Sequence, residues 1–365
     1  MKYLSKLLII FFILSFFTGC DFKDIDRRTF IVAVGIDSIG KNGEIEVSFK
    51  AAIPKSVGGS GSQNGGKNFE FYTVKGNSLG EIFRLLKTKM ALEPDFGHMK
   101  IIVLGESYVK NNEIDDVIDF FSRRRDIQLI GYVAVGSPSA KTVLNIEPQG
   151  EKTAGSALFM KFGQGTNSEY GLITMLKDVK YSATTKGMTV FCPVIEAVEG
   201  RVVLEKVALF DRVKFSMFLN RDETKLFKLL FEGVQNGYIV IDTLGSKSPL
   251  GINVNSGKGS VKLKEVNDDI ICNIKVTIKG NLEEVGEYVE LKEVEARAKK
   301  IVDSRVNTLV KKLQEKGLDP LQLQVKYWAN NRNYHFSDEW LENQYKKVQF
   351  KVDSNVVIER TGIFK

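Results

Sequence analysis

The apolar positions of this chain fall into three patterns: one continuous run at the start, many short runs of period two, and a few stripes near period 3.6. The continuous run, Leu7 to Phe17, is interrupted only by Ser15, follows Lys2 and Lys6, and leads into Thr18-Gly19-Cys20. A bilayer core takes about 20 apolar residues as a helix, so this run is too short to span one. A basic flank, an apolar core and small residues make a secretory signal.

The short runs predict strands. Phe30 to Ile36 reads as a buried strand ending in Gly35-Ile36-Asp37. Glu44 to Ile53 places Ile45, Val47, Phe49, Ala51 and Ile53 on one face and is expected to be half exposed. Phe69–Val74, Lys100–Leu104 and Ile127–Val135 are further strands. Ser78 with Glu81 is a capping box opening a helix to about Ala91. Glu113–Ser122 and Ser139–Asn145 are helices, and a weaker helical zone runs from Glu151 to Lys177, broken at Gly163-Gln164-Gly165. Between Val57 and Gly66 the chain is a glycine- and serine-rich loop.

From Lys186 to Leu219 the chain is strand-rich, with a hairpin turn at Gly200-Arg201. Asn220 with Glu223 caps a helix to Phe231, and strands follow at Tyr238–Asp242, Val261–Val266 and Ile270–Ile278. The longest helix spans about Glu287 to Lys316. Its stripe is Leu291, Val294, Ala298, Ile301, Val306 (or Arg305), Leu309 and Leu313, and Gly317 and Pro320 end it. That stripe is expected to cover the face Ile270, Cys272, Ile274, Val276 and Ile278. Leu321–Trp328 and Val348–Ile358 are expected as closing strands. The pattern predicts a multi-domain α+β protein of mixed and antiparallel sheets with packed helices, ending in a domain with one long helix against an antiparallel sheet. Residues 1–19 form the signal, 20–200 an N-terminal α+β region of one or two subdomains, and 201–365 a C-terminal domain.

Composition adds less. The formal charge of +7 includes Lys2 and Lys6 of the leader, and the lysines are scattered, which suits a surface near anionic headgroups and points to no nucleic acid. Arg123-Arg124-Arg125 is the one basic cluster, read as a solvated helix end, with an anion site as the alternative. Cys192 and Cys272 lie in apolar strands and read as small buried hydrophobes, with a disulfide between them as the alternative.

Candidate chemistry is sparse. Gly61 to Asn68 nearly spells a phosphate loop. Asn68 stands where a magnesium-binding hydroxyl is needed, however, and a strand follows where the phosphates would need a helix N-terminus. The two histidines, His98 and His335, are too few for a zinc site and lie far apart, and His98 reads as a structural residue. Asp115-Asp116 and Glu283-Glu284 are neighbours on surface segments and form no acid–base pair. No catalytic residue, metal or cofactor is expected, and the chain is read as a non-enzyme.

Cys20 at the cleavage point resembles the lipobox of bacterial lipoproteins, which implies acylation of its thiol, with palmitate among the chains; an ordinary signal peptide with a chance cysteine is the alternative. Four ordered stretches resemble the Ger(x)C lipoproteins, the C subunits of nutrient germinant receptors in spore-forming bacteria. The first is Gly19-Cys20-Asp21-Phe22 with Val34-Gly35-Ile36-Asp37; the family's tryptophan is absent, with Phe22 the nearest aromatic. The second is Gly97-His98-Met99-Lys100 to Glu106, with Val117 to Phe121. The third runs from Val207 to Glu223-Thr224, and the fourth comprises Leu318-Asp319-Pro320, Trp340 and the final strand to Gly362. The resemblance implies a three-domain α+β protein anchored through acylated Cys20 on the outer face of the spore inner membrane. Its partners there would be a multi-spanning A subunit and an integral-membrane B subunit. The competing class is a solute-binding lipoprotein that delivers a ligand to a transporter.

Overall fold

The computed structural model describes residues 27–40, 43–52, 69–146, 168–241, 250–267, 269–284, 290–330 and 339–360, with Tyr3, Phe162, His335 and Ser337. The leader, Cys20, Gly61–Asn68 and most of the zone 151–177 lie outside the described residues.

The larger sheet begins with β1 (Arg28–Ser38), β2 (Ile45–Ala52) and β3 (Phe69–Gly76). After helix α1 (Leu79–Lys89) come β4 (Glu93–Asp95) and β5 (Ile101–Gly105), then α2 (Glu106–Asn111) and α3 (Asp115–Arg123). β6 (Tyr132–Ser137), α4 (Ala140–Asn145) and α5 (Leu176–Thr184) lead to β7 (Thr189–Val198), β8 (Arg201–Asp211) and β9 (Lys214–Leu219). The strand order is β3-β2-β1-β5-β6-β7-β8-β9, with β4 beside the start of β1. The central strands β1, β5, β6 and β7 are parallel, which requires helical crossovers. The flanks are antiparallel, and β7 and β8 form the hairpin read at Gly200.

Parallel centres are covered on both faces. One face packs Val34, Ile36, Phe49, Ile82, Phe83 and Phe121 in a core under α1 and α3. The other packs Ala33, Ile101, Val103, Ala140 and Leu144 under α4. This corrects the half-exposed reading of Glu44–Ile53. Glu46, Ser48 and Lys50 are buried along with the apolar positions, because α4 lies over their side. The Lys50 ammonium sits 3.9 Å from the centre of the Phe69 ring. Ile127–Val135 is also corrected: 127–131 is a turn closed by Gly131 N–H on Gln128 O (3.1 Å), and the strand starts at Tyr132. α5 begins at Leu176, where the expected helical zone was to end.

Ser78 Oγ accepts the Glu81 N–H at the start of α1 (3.2 Å). Asn220 and Glu223 form both bonds of a capping box at the start of α6 (Arg221–Phe231). The second sheet follows: β10 (Val234–Ile241), β11 (Leu250–Val266), β12 (Asp269–Glu284) and β13 (Gln349–Arg360). The first three are antiparallel. β13 is parallel to β12, joined through α7 (Leu291–Glu315) and α8 (Leu323–Asn330). The first half of β11 carries glycines and asparagines, and only its second half is legible as a strand. A Cβ on Gly259 would lie 2.7 Å from Leu230 Cα, so glycine there lets α6 lie directly on the sheet.

α7 lays Val294, Ala298, Val302, Val306, Leu309, Val310 and Leu313 on the face made by Cys272, Ile274, Val276 and Ile278. The expected stripe shifts at two positions. Leu291 is exposed at the helix start, and Ile301 sits at the margin while Val302 occupies the line. Arg305 points elsewhere, donating to Val240 O (3.1 Å).

The strand expected over Leu321–Trp328 is not formed: Leu321 lies in a turn and Leu323–Asn330 is the helix α8. Leu321, Leu323, Val325 and Tyr327 alternate in sequence, but Asp319 supplies a helix cap that the alternation does not reveal.

Candidate functional site

Two buried aspartates organise the molecule, one near the end of β1 and one in the turn between α7 and α8. Asp37 ends β1, and its two carboxylate oxygens accept the backbone N–H groups of Ala140 (2.8 Å) and Lys141 (2.9 Å) at the start of α4. The strand neighbours make room for it. A Cβ on Gly105 would fall 1.8 Å from Asp37 Oδ1, and one on Gly136 3.0 Å from Ala140 Cα. Lys141 Nζ reaches Glu46 at 2.9 Å alongside. Burial raises the Asp37 carboxyl above the usual range, opposed by the two backbone donors. The Gly-Ile-Asp strand end is thus a helix-docking corner.

Asp319 is 1% exposed. Its carboxylate accepts N–H from Leu323 (2.9 Å), Gln324 (3.0 Å) and the Trp340 indole (3.3 Å). Its own N–H donates to Thr189 Oγ1 (2.7 Å) on β7, and Tyr345 O–H donates to Leu318 O (2.7 Å). Asp319 therefore ties the α8 turn and the Trp340 segment to the larger sheet. Burial raises its carboxyl, with the backbone donors and Lys326 opposing, and burial lowers Lys326.

The candidate chemistry of the sequence is not brought together. Cys20 lies outside the described residues. His98 is exposed with its ring edge-on to Phe30 at 4.9 Å, and His335 is exposed elsewhere. Cys192 and Cys272 are free and buried, with the Cys272 thiol pushed up to about 12 chiefly by burial. Among the described residues no cluster of His, Cys, Asp and Glu is built to hold a metal. Asp115 and Asp116 lie in the first turn of α3.

The arginine run differs from a solvated helix end. Arg123 pairs with Asp119, while Arg124 pairs with Asp126 and stacks over Phe83 (4.8 Å), Phe96 (5.0 Å) and Phe120 (5.6 Å). It lines a cleft of about 560 Å³ with Arg28, Arg84 and Lys87. A larger cleft of about 940 Å³ lies between the two sheets, lined by acids such as Asp119, Asp211 and Glu342 and bases such as Lys180, Lys214 and Lys316. Lys180 and Asp119 neutralise each other within it. Among the described residues no helix is long and apolar enough to cross a membrane.

These features define a two-sheet α+β scaffold whose buried polar groups cap helices and join parts. Two family models match it in order. "Spore germination protein N-terminal domain" covers residues 21–197, and "Spore germination B3/GerAC like, C-terminal" covers residues 205–362. The chain belongs to the Ger(x)C family of spore germination proteins. It is 22% identical over 367 residues to spore germination protein GerQC of Bacillus cereus, spanning 97% of this chain and 98% of that one. It is 24% identical to spore germination protein B3 of Bacillus subtilis (strain 168), spanning 96% and 98%. The crystal structure of the GerBC protein matches with a TM-score of 0.58 at 18% identity, covering 93% of this chain and all of that one, and shows the shared fold.

Proposed function

We propose that this protein is a non-enzymatic, lipid-anchored subunit of a spore nutrient germinant receptor. It works beside membrane-embedded A and B subunits on the outer face of the spore inner membrane, held there by acyl chains on Cys20. The supporting observation is the ordered match to both family domains, the first beginning at residue 21, directly after Cys20. Asp37 and Asp319, the buried carboxylates of two motifs that carry the resemblance, are engaged in capping, which suits a scaffold.

Two or more acyl chains hold a protein stably where one gives only reversible binding. The mature protein should therefore resist a high-salt wash of spore membranes, carry an acylated N-terminal cysteine by mass spectrometry, and co-purify with the A and B subunits. Cys20→Ala should lose the acyl mass and reduce the germination response. Unchanged membrane retention and germination in that variant would overturn the reading.

A further inference from the structure

We infer that the edge of the larger sheet where the chain enters is a docking face for an anionic phospholipid bilayer, with the loop at Leu129-Ile130 dipping into the headgroup layer. The inference rests on the proposed acylation of Cys20. Cys20 and Arg28, the first residue of β1, are eight residues apart, so the tether reaches at most about 29 Å at full extension. Whatever lies at the start of β1 is held close to the lipid.

The start of β1 adjoins the loops that precede the parallel strands. Arg28 is paired with Glu93 across the β1–β4 register, and the 123–131 segment meets the same edge through Gln128 Nε2, which donates to Gly97 O (2.9 Å). On these loops Leu92, Leu129 and Ile130 are 40%, 44% and 61% exposed. Adjacent apolar residues standing out of a loop beside cations make an interfacial, amphipathic surface. The cations are present: Arg84 on α1 and Arg125 after α3 are exposed and make no ion pair among the described residues, and Lys87 reaches only the exposed Glu93. Arg124, stacked on Phe83, Phe96 and Phe120, lines one cleft with Arg84 and Lys87. Cations near an anionic surface are attracted within a Debye length, and the apolar side chains then leave water.

The rival face is the outer side of the second sheet, where Lys262, Lys264, Lys275 and Lys279 are exposed and Val266, 46% exposed, stands at the β11–β12 tip. It has charge but no tether. The two faces are separated by one experiment on the full-length lipidated protein in vesicles of phosphatidylcholine and phosphatidylglycerol. Ile130→Cys and Val266→Cys are labelled with an environment-sensitive fluorophore; Cys192 and Cys272 are buried and Cys20 is acylated, so the new thiol is the reactive one. The label at 130 should shift to the blue and be quenched by nitroxide lipids several-fold more than the label at 266. The effect should weaken in the Arg84→Glu, Arg125→Glu double variant and in vesicles of neutral lipid alone. Quenching at 266 instead, or at neither position in protein that floats with the vesicles, would overturn the docking face and leave the anchor standing. Shielding of 130 only in spore membranes, never in protein-free vesicles, would assign the face to a protein and overturn it as well. Protein without acyl mass on Cys20 that fails to float would remove the tether and sink both readings.

Discussion

The larger sheet and the helical turn beside the second sheet use the same device, a buried aspartate that caps a helix, at opposite ranges. Asp319 caps α8 from four residues away, whereas Asp37 caps α4 from 103 residues away, across the parallel sheet. The local cap needs only its own turn. The distant one needs β1, β5 and β6 already assembled in order, with Gly105 at the end of β5 and Gly136 in β6 leaving space for the carboxylate and for α4. The larger sheet is therefore closed by tertiary agreement at a corner, while the second is organised by one helix lying along a one-sided sheet. Errors in the two regions should have different signatures.

The largest effect belongs to the helix–sheet contact of the second region. Val302 is 2% exposed in the line of α7, so Val302→Asp buries an unpaired carboxylate and should cost roughly 3–5 kcal/mol. Ile301→Asp, one residue round the helix at the margin, should cost about 1 kcal/mol. Denaturant melts of both variants check the register. Equal losses would mean that the helix face is rotated from the one described. The corner of the first region comes next. Gly105→Ala drives a Cβ into Asp37 Oδ1 and must displace a carboxylate that satisfies two N–H groups, for roughly 2–4 kcal/mol. A wild-type melt for Gly105→Ala would show the corner to be loose.

How much of each region was legible follows the same division. The strands of the second sheet have one dry face, so Ile270 to Ile278 alternate cleanly and could be read, as could the capping box at Asn220. β2 alternates just as cleanly yet has both faces covered, since α4 arrives from far along the chain. No local pattern reports that. Asp37 was visible as a motif, but its role was not, because its partners are set by topology. Asp319-Pro320 did carry a local signal, a capping side chain followed by a turn-forming proline just ahead of α8. The alternation of Leu321, Leu323 and Val325 masked it. The first half of β11 was hidden because its glycines make room for neighbours, Gly251 for Tyr238 and Gly257 and Gly259 for Leu229 and Leu230 of α6.

Removing the two caps sharpens the comparison further. Asp319 serves three donors and Asp37 two, so Asp319→Ala should cost about 2–3 kcal/mol and Asp37→Ala about 1–2 kcal/mol. The pH dependence has a defined sign. Burial raises both carboxyls above the ordinary aspartate value of 3.8, so the folded state holds their protons more tightly than the unfolded chain does. The stability each contributes is full below 3.8 and is lost as pH rises through its folded value. Asp37→Asn and Asp319→Asn should each remove a falling component of up to about 1.4 kcal/mol per pH unit in that window. Difference profiles against wild type from denaturant melts read it directly, and a variant profile parallel to wild type would contradict the raised value at that site.

The smallest expected effect tests the claim that the second sheet is one-sided. Lys262 pairs in register with Asn273 and then Lys351, and Ser260 with Lys275 and then Asp353, so these rows share the face opposite Cys272 and Ile274. Lys262, Lys275 and Lys351 are exposed, and Asp353 is already held by Lys299, which lowers its carboxyl. Nothing on that face depends on a lysine charge for the fold. Lys262→Gln with Lys275→Gln should shift stability by no more than about 0.5 kcal/mol per site, and by removing like charges in adjacent rows the shift should favour the folded state. The same pair of substitutions would be costly if a further part of the protein were packed over the lysines. A loss approaching that of Gly105→Ala would then show that the second sheet, like the first, is covered on both faces.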